Sequence, residues 1–233
     1  MARGSGSRIG GARRKSVRVK TARGRKLSST RWLQRQLNDP YVEEAKKRGY
    51  RSRAAFKLQE LDERYSLLRR GARIVDLGAA PGGWTQMAVQ AVGPEGAVVA
   101  VDIQEVEPVP GATHLLDDIY DEDITDRIVE ALGGAADLVL SDMAAPATGH
   151  AQTDHLRVMG LLEAAYDVAR ILLKPGGAFV GKVLQGGTER TLLDALKRDF
   201  AKVAHAKPAA SRADSREMYI VATGFRGTAA DGE

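Results

Sequence analysis

The sequence predicts an α/β fold: a mainly parallel, seven-stranded sheet with one antiparallel strand and helices on both faces. Three observations predict it. From residue 73 onward, short apolar runs rich in Val and Ile alternate with longer segments of helical period. The runs are apolar almost throughout, as strands covered on both sides must be. The last two, KVAHAKP and EMYIVATGF, follow one another with only a loop between them, which turns one strand antiparallel.

The elements follow in order. Residues 1–30 read as a basic arm. RWLQRQLNDPYVEEAKKRGY is mostly helical, with a turn at Asn38-Asp39-Pro40. SRAAFKLQELDERYSLL is an amphipathic helix, with Ala55, Leu58, Leu61 and Tyr65 at helical spacing and Gly71 as its breaker. RIVDL is the first strand, followed by the helix GGWTQMAVQAV. GAVVAVD and ATHLL are strands, DITDRIVEAL a helix and ADLVLSD a strand. TDHLRVMGLLEAAYDVARILL is a long helix, stopped at Lys174-Pro175-Gly176-Gly177. GAFVGKVL is a strand, TERTLLDALKRDF a helix, and the closing pair completes the sheet. Residues 31–225 read as one domain, long enough for a single sizeable core, and 226–233 as a flexible tail.

Charge is distributed unevenly. Residues 1–38 hold twelve Lys/Arg and no acid, whereas residues 39–233 hold 23 basic and 30 acidic residues, a balance of −7. The overall charge of +5 therefore comes from the arm. Such an arm is disordered alone and attracted to polyanions. No apolar run is long enough to span a membrane. Cysteine is absent, which excludes disulfides and thiolate metal sites and fits a reducing cytoplasm. The four histidines, 114, 150, 155 and 205, lack metal-ligand spacing, so no metal is expected.

The stretch DLGAAPGGW ends the first strand, where a parallel sheet binds ligands. It lacks the GxG start of a dinucleotide loop and places Pro81 inside the turn, which disfavours a pyrophosphate. Gly82, Gly83 and Trp84 open the helix that follows. Asp102, Asp118 and Asp142 sit at or just beyond the ends of later strands. Acids there suit a cationic, phosphate-free adenosine ligand, and S-adenosylmethionine has that chemistry.

Lys182 lies in an apolar strand, which is costly without a partner. Lys57 interrupts the apolar side of its helix, and Glu217 begins the last strand. With Asp142 they can converge over the glycine loop. The acids would neutralise the ammonium groups, and one lysine would orient a sugar hydroxyl or take its proton. Tyr219 shares a strand face with Glu217.

SRAAFKLQEL, VDLGAAPGGWTQ, VLSDMA, LKPGGAFVGKVLQG and SREMYIVATG together resemble the FtsJ/RrmJ family of S-adenosylmethionine-dependent ribose 2′-O-methyltransferases. The resemblance covers about residues 48–225. It is narrowest to the branch that methylates a uridine of large-subunit ribosomal RNA. It implies a Rossmann-like methyltransferase fold and a catalytic tetrad of Lys57, Asp142, Lys182 and Glu217, with Lys182 central. It implies that S-adenosyl-L-methionine is held by Gly82, Gly83, Trp84, Asp102, Asp118 and Asp142. The expected partner is 23S ribosomal RNA within the assembled large subunit, contacted by Arg51, Arg53, Arg212, Arg216 and Tyr219, with the protein a cytoplasmic monomer. One departure stands out. The family's DMAPN is DMAAPATGH here, so no asparagine role transfers. The alternatives are another RNA such as tRNA as substrate, or a non-catalytic RNA-binding assembly factor.

Overall fold

The computed structural model describes residues 18–19, 27–146, 148–186, 190–212 and 214–227. Most of the expected arm and residues 228–233 of the expected tail lie outside them. Three helices come first: α1 (Leu27–Leu37), α2 (Pro40–Arg48) and α3 (Ala54–Tyr65). The helix α2 starts where the turn was expected. Asp39 caps it by accepting the Tyr41 amide at 3.0 Å, and Pro40 occupies its first turn. The helix α3 stops at Ser66, which takes a left-handed conformation and donates its amide to Asp62 O, so the break falls five residues before Gly71. An expected Gly stop was misplaced because a non-glycine residue with φ 53° closes the helix instead.

The sheet part runs β1 (Arg73–Leu77), α4 (Gly83–Val92), β2 (Ala97–Asp102), β3 (Thr113–Leu116), α5 (Ile124–Leu132) and β4 (Ala136–Ser141). It continues with α6 (Ala151–Leu172), β5 (Leu173–Leu184), α7 (Arg190–Asp199), β6 (Phe200–Ala206) and β7 (Glu217–Phe225). The seven strands lie in the order β3-β2-β1-β4-β5-β7-β6. Only β7 runs antiparallel to its neighbours, β5 and β6, among the described strand pairs. The Lys174–Gly177 stretch does more than stop α6. It loops out between two paired stretches of β4 and β5, Ala136 with Leu173 and Leu138 with Ala178.

Two apolar layers sandwich the sheet. Leu58, Leu61, Trp84, Ala88, Leu140, Val180 and Tyr219 join α3 and α4 to one face. Ile128, Leu162, Ala165, Phe179, Val183 and Leu196 join α5, α6 and α7 to the other. Strand parity sends Lys182 and Val180 to the α3 face, and Phe179, Gly181 and Val183 to the α6 face. Gly181 is there because α6 comes close. A Cβ at this position would meet Leu162 Cδ1 and lie 2.8 Å from the Phe179 ring. Gly181→Ala is therefore expected to lose about 1–3 kcal/mol of stability, read from the urea midpoint at an unchanged slope.

Candidate active site

The strand order reverses at β1, whose neighbours are β2 and β4. A crevice must open beyond the carboxyl ends of these strands. A cavity of about 600 Å³ lies there, lined by Gly78 and Ala80 of the loop, Asp102, Asp118 and Asp142, and apolar walls that include Ile103, Ile119 and Tyr120. Two of these acids also brace the backbone. Asp102 accepts from the amides of Ala80 and Gln104, each at 2.8 Å. Asp118 accepts from the Tyr120 amide at 3.1 Å. Gly78 has φ 75°, and a Cβ on it would run into Met143, whose Cα would lie at 3.1 Å. The loop thus passes too close to the β4 end for any side chain. The size and the acidic, partly apolar lining fit a cationic adenosine ligand.

Gly82, Gly83 and Trp84 lie on the same loop and helix start but are not among the residues that line this cavity. Gly82 packs on Arg51 and Val109, and Gly83 on Ser52. Trp84 is buried, packs at a tilt against Tyr219 with ring centroids 5.6 Å apart, and donates its indole N–H to Ala54 O at 2.8 Å. These residues let the chain before α3 lie against the loop. The side of the loop they occupy was not readable from a glycine pattern.

Beside the cavity, four charges form an alternating box. Lys182 Nζ donates to Asp142 Oδ1 at 2.7 Å and to Asp142 O at 2.8 Å, and lies 3.8 Å from Glu217 Oε1. Lys57 Nζ lies 3.2 Å from Glu217 Oε2 and 3.7 Å from Asp142 Oδ2. Both lysines are buried, at 7 % and 6 % exposure. Lys57 arrives from α3, Asp142 from the end of β4, Lys182 from β5 and Glu217 from the start of β7. The four residues singled out from scattered positions therefore meet.

Tyr219 holds the box from below. It pairs directly with Lys182 across β5 and β7, so the two side chains share a face. Its hydroxyl donates to Asp142 Oδ1 at 2.7 Å and accepts from Lys57 Nζ at 3.0 Å. It is fully buried, which corrects its expected place on an RNA surface. Parity gave the right face, but that face points under α3 and not to solvent.

The electrostatics follow from this packing. Burial alone would raise the Asp142 carboxyl, but Lys182 and then Lys57 override it and hold its pKa below the usual carboxylate range. Glu217 behaves likewise, with Lys57 as the stronger partner. Burial, with Asp142 and Glu217 nearby, pushes the Tyr219 phenol well above its ordinary value. Both carboxylates are thus ionised and the phenol neutral near neutral pH.

Asp76 was not singled out from the sequence, although the signal was present: an acid inside the apolar run RIVDL. It lies beneath the loop, fully buried. Oδ2 accepts from Thr85 Oγ1 at 2.7 Å, while Oδ1 has no partner among the described residues.

The four arginines expected at RNA all hold neighbouring chain. Arg51 donates to Glu107 O and, at 2.8 Å, to Pro108 O. Arg53 and Arg212 pair with Asp39 at 3.0 and 3.2 Å, and Arg53 also donates to Ala210 O. Arg216 donates to Gln185 O at 2.6 Å. Among the described residues no helix is long and apolar enough to cross a membrane.

A mostly parallel seven-stranded sheet with β7 reversed, and an acidic cavity at its switch point, define the Rossmann-like methyltransferase class. The FtsJ-like methyltransferase family matches residues 50–225, and the chain belongs to that family. It is 63% identical over 230 residues to the ribosomal RNA large subunit methyltransferase E of Paramagnetospirillum magneticum, covering 97% of this chain and 94% of that one. The protein of the same name from Xanthobacter autotrophicus is 61% identical, over 91% of this chain and 85% of that one. Among solved structures, a Plasmodium falciparum protein described as a ribosomal RNA methyltransferase superposes with a TM-score of 0.68 at 29% identity. It covers 77% of this chain and 100% of its own.

Proposed function

We propose that the protein methylates a ribose 2′-hydroxyl, that of a uridine in 23S large-subunit ribosomal RNA, using S-adenosyl-L-methionine. The names of its relatives support the substrate class. The observation that carries the chemistry is Lys182, buried in the box beside the acidic cavity with two of its contacts on Asp142.

The donor supplies a methyl group made electrophilic by its sulfonium. Asp102, Asp118 and Asp142 would hold it, their negative charge suited to a cation. An ammonium carries three donors, and two are committed to Asp142. The third is left for the 2′-oxygen, which fixes the direction of its attacking lone pair. A carbon–oxygen bond then forms in line with the breaking carbon–sulfur bond, and the hydroxyl proton is released to solvent. Asp142 and Glu217 keep Lys182 in place, Lys57 balances their charge, and the rate comes from orientation. Cytoplasmic location and a monomeric state belong to the same reading.

The test is transfer of labelled methyl to undermodified large subunits, naked ribosomal RNA and tRNA. Label recovered as a ribose-methylated dinucleotide after alkaline hydrolysis of large-subunit RNA supports the reading. Label on tRNA alone moves the substrate, and donor binding with no transfer to any RNA favours the assembly-factor alternative. Tyr219→Phe refines the test. It removes one hydrogen bond from Asp142 Oδ1 and one from Lys57. The expected result is kcat lower by about tenfold, matching about 1.5 kcal/mol, with donor affinity by calorimetry unchanged.

A further inference from the structure

Asp76 is a buried acid that the reaction described above does not use. Three features tie it to the donor cavity.

The first is place. In β1 it pairs with Ala100 of β2 on one side and with Leu140 of β4 on the other. Two residues further along those two segments stand Asp102 and Asp142, which period two sends to the same face. Strand spacing puts each of them roughly 8 Å from Asp76, backbone to backbone. Both line the cavity, and so do Leu77 and Gly78, the two residues that follow Asp76. Asp76 lies just beneath them, with none of its surface exposed.

The second is unmet bonding. Thr85 Oγ1 donates to Oδ2, and Oδ1 is buried without a partner among the described residues. A carboxylate left so is costly, whereas a protonated carboxyl has no charge to desolvate.

The third is the charge around it. The helix that covers it, α4, carries no titratable residue. Asp102 faces it from β2 and Asp142 from β4. The ammonium groups on this face, Lys182 of β5 and Lys57 of α3, turn to Asp142 and to Glu217 of β7. Tyr219 of β7 is held by Asp142 and Lys57. Burial pushes the Asp76 carboxyl up to about 7; the Thr85 bond pulls it back in part, and Asp142 and Asp102 push it up.

We infer that the sulfonium charge of the donor expels a proton from Asp76, so that donor binding and ionisation of this buried carboxyl are coupled. The coupling rests on the reading of S-adenosyl-L-methionine as donor. The methyl group must face Lys182, so the sulfonium stands by Asp142. A unit charge roughly 8 Å away, at an effective dielectric of about 20, changes the proton affinity of a carboxyl about tenfold or more. The proton leaves to solvent. Methyl transfer turns the sulfonium into a neutral thioether, and Asp76 then takes a proton back from solvent. The cavity thus meets a cationic donor with one more negative charge than it shows the neutral product, which favours the donor over the product.

The test is calorimetric titration of the full chain with S-adenosyl-L-methionine at pH 6.5, in two buffers of different ionisation enthalpy. At this pH the donor's own amine is already charged. The expected result is release of about half a proton per donor bound. Donor affinity should also weaken about five- to tenfold from pH 8 to pH 5.5. In Asp76→Asn the release and most of this pH dependence should vanish. S-adenosyl-L-homocysteine, which lacks the sulfonium charge, should release much less from the wild type. That comparison decides the matter without a variant if Asp76→Asn does not fold. Equal release from both ligands, or unchanged release in Asp76→Asn, overturns the coupling. Donor binding without proton release removes the coupling and leaves the donor standing. Absence of donor binding removes the donor reading, and the coupling falls with it.

Discussion

Replacing Lys182 by alanine is expected to lower kcat for RNA methylation by about 10²–10⁴-fold, the span over which a positioned proton-handling or orienting group acts. The reason is local. Lys182 is the box member with the shortest contacts to Asp142, at 2.7 and 2.8 Å. Without it only Lys57 still bridges the two carboxylates, through Asp142 Oδ2 and Glu217 Oε2, and no ammonium faces Asp142 Oδ1 or Glu217 Oε1, now 3.8 Å from Nζ. The 2′-oxygen would then face two carboxylates, which hydrogen-bond its proton and leave its lone pair undirected. Donor affinity is expected to change little, since Lys182 is not part of the cavity wall. Calorimetric donor binding with single-turnover transfer separates these effects. Lys182→Arg is informative beside it: charge is kept, but a planar fork cannot place one donor where the ammonium does, so most of the loss should persist. Transfer within tenfold of wild type in Lys182→Ala would remove the lysine from the chemistry.

How far this site was legible depends on what kind of signal each residue leaves. Lys182 and Lys57 were visible because a charge in an apolar pattern must be compensated, and Asp142 and Glu217 because strand ends converge in a parallel sheet. Tyr219 shows the limit of parity. Period two says which residues share a face, but not whether a helix covers that face, and α3 lies 160 residues away in sequence from its partner Glu217. The glycine loop was legible as a turn at a binding crevice. The close approaches of Gly78 to Met143 and of Gly83 to Ser52 are defined only in the folded chain. The Asp39 clamp on Arg53 and Arg212 left no local trace beyond a helix cap, since its partner Arg212 stands 173 residues away.

Asp76 is expected to make stability fall as pH rises from about 4 to about 7. Burial raises its pKa from an ordinary 3.8 to about 7 in the folded chain; the hydrogen bond from Thr85 pulls it back in part, and the nearby Asp142 and Asp102 carboxylates push it up. Below pH 4 the group is protonated in both folded and unfolded states. Between 4 and 7 the folded state keeps a proton that the unfolded state has released, so each pH unit favours unfolding. Above 7 both states are ionised and the contribution levels off. The full span corresponds to an effect on the order of 4 kcal/mol. Asp142 and Glu217 have lowered pKa values and act in the opposite direction, so the wild-type curve alone does not isolate Asp76. The difference between wild type and Asp76→Asn does. The amide cannot ionise, yet its oxygen can still accept from Thr85. Measured by urea denaturation from pH 4 to pH 8, wild-type stability minus that of Asp76→Asn should fall steadily to about pH 7 and then flatten. A difference that stays constant across that range would mean the carboxyl ionises at an ordinary pKa, with its unpartnered oxygen met by water. In the expected case the Asp76 carboxyl is about half protonated at pH 7, which limits the negative charge that gathers with Asp102 and Asp142 beneath the loop.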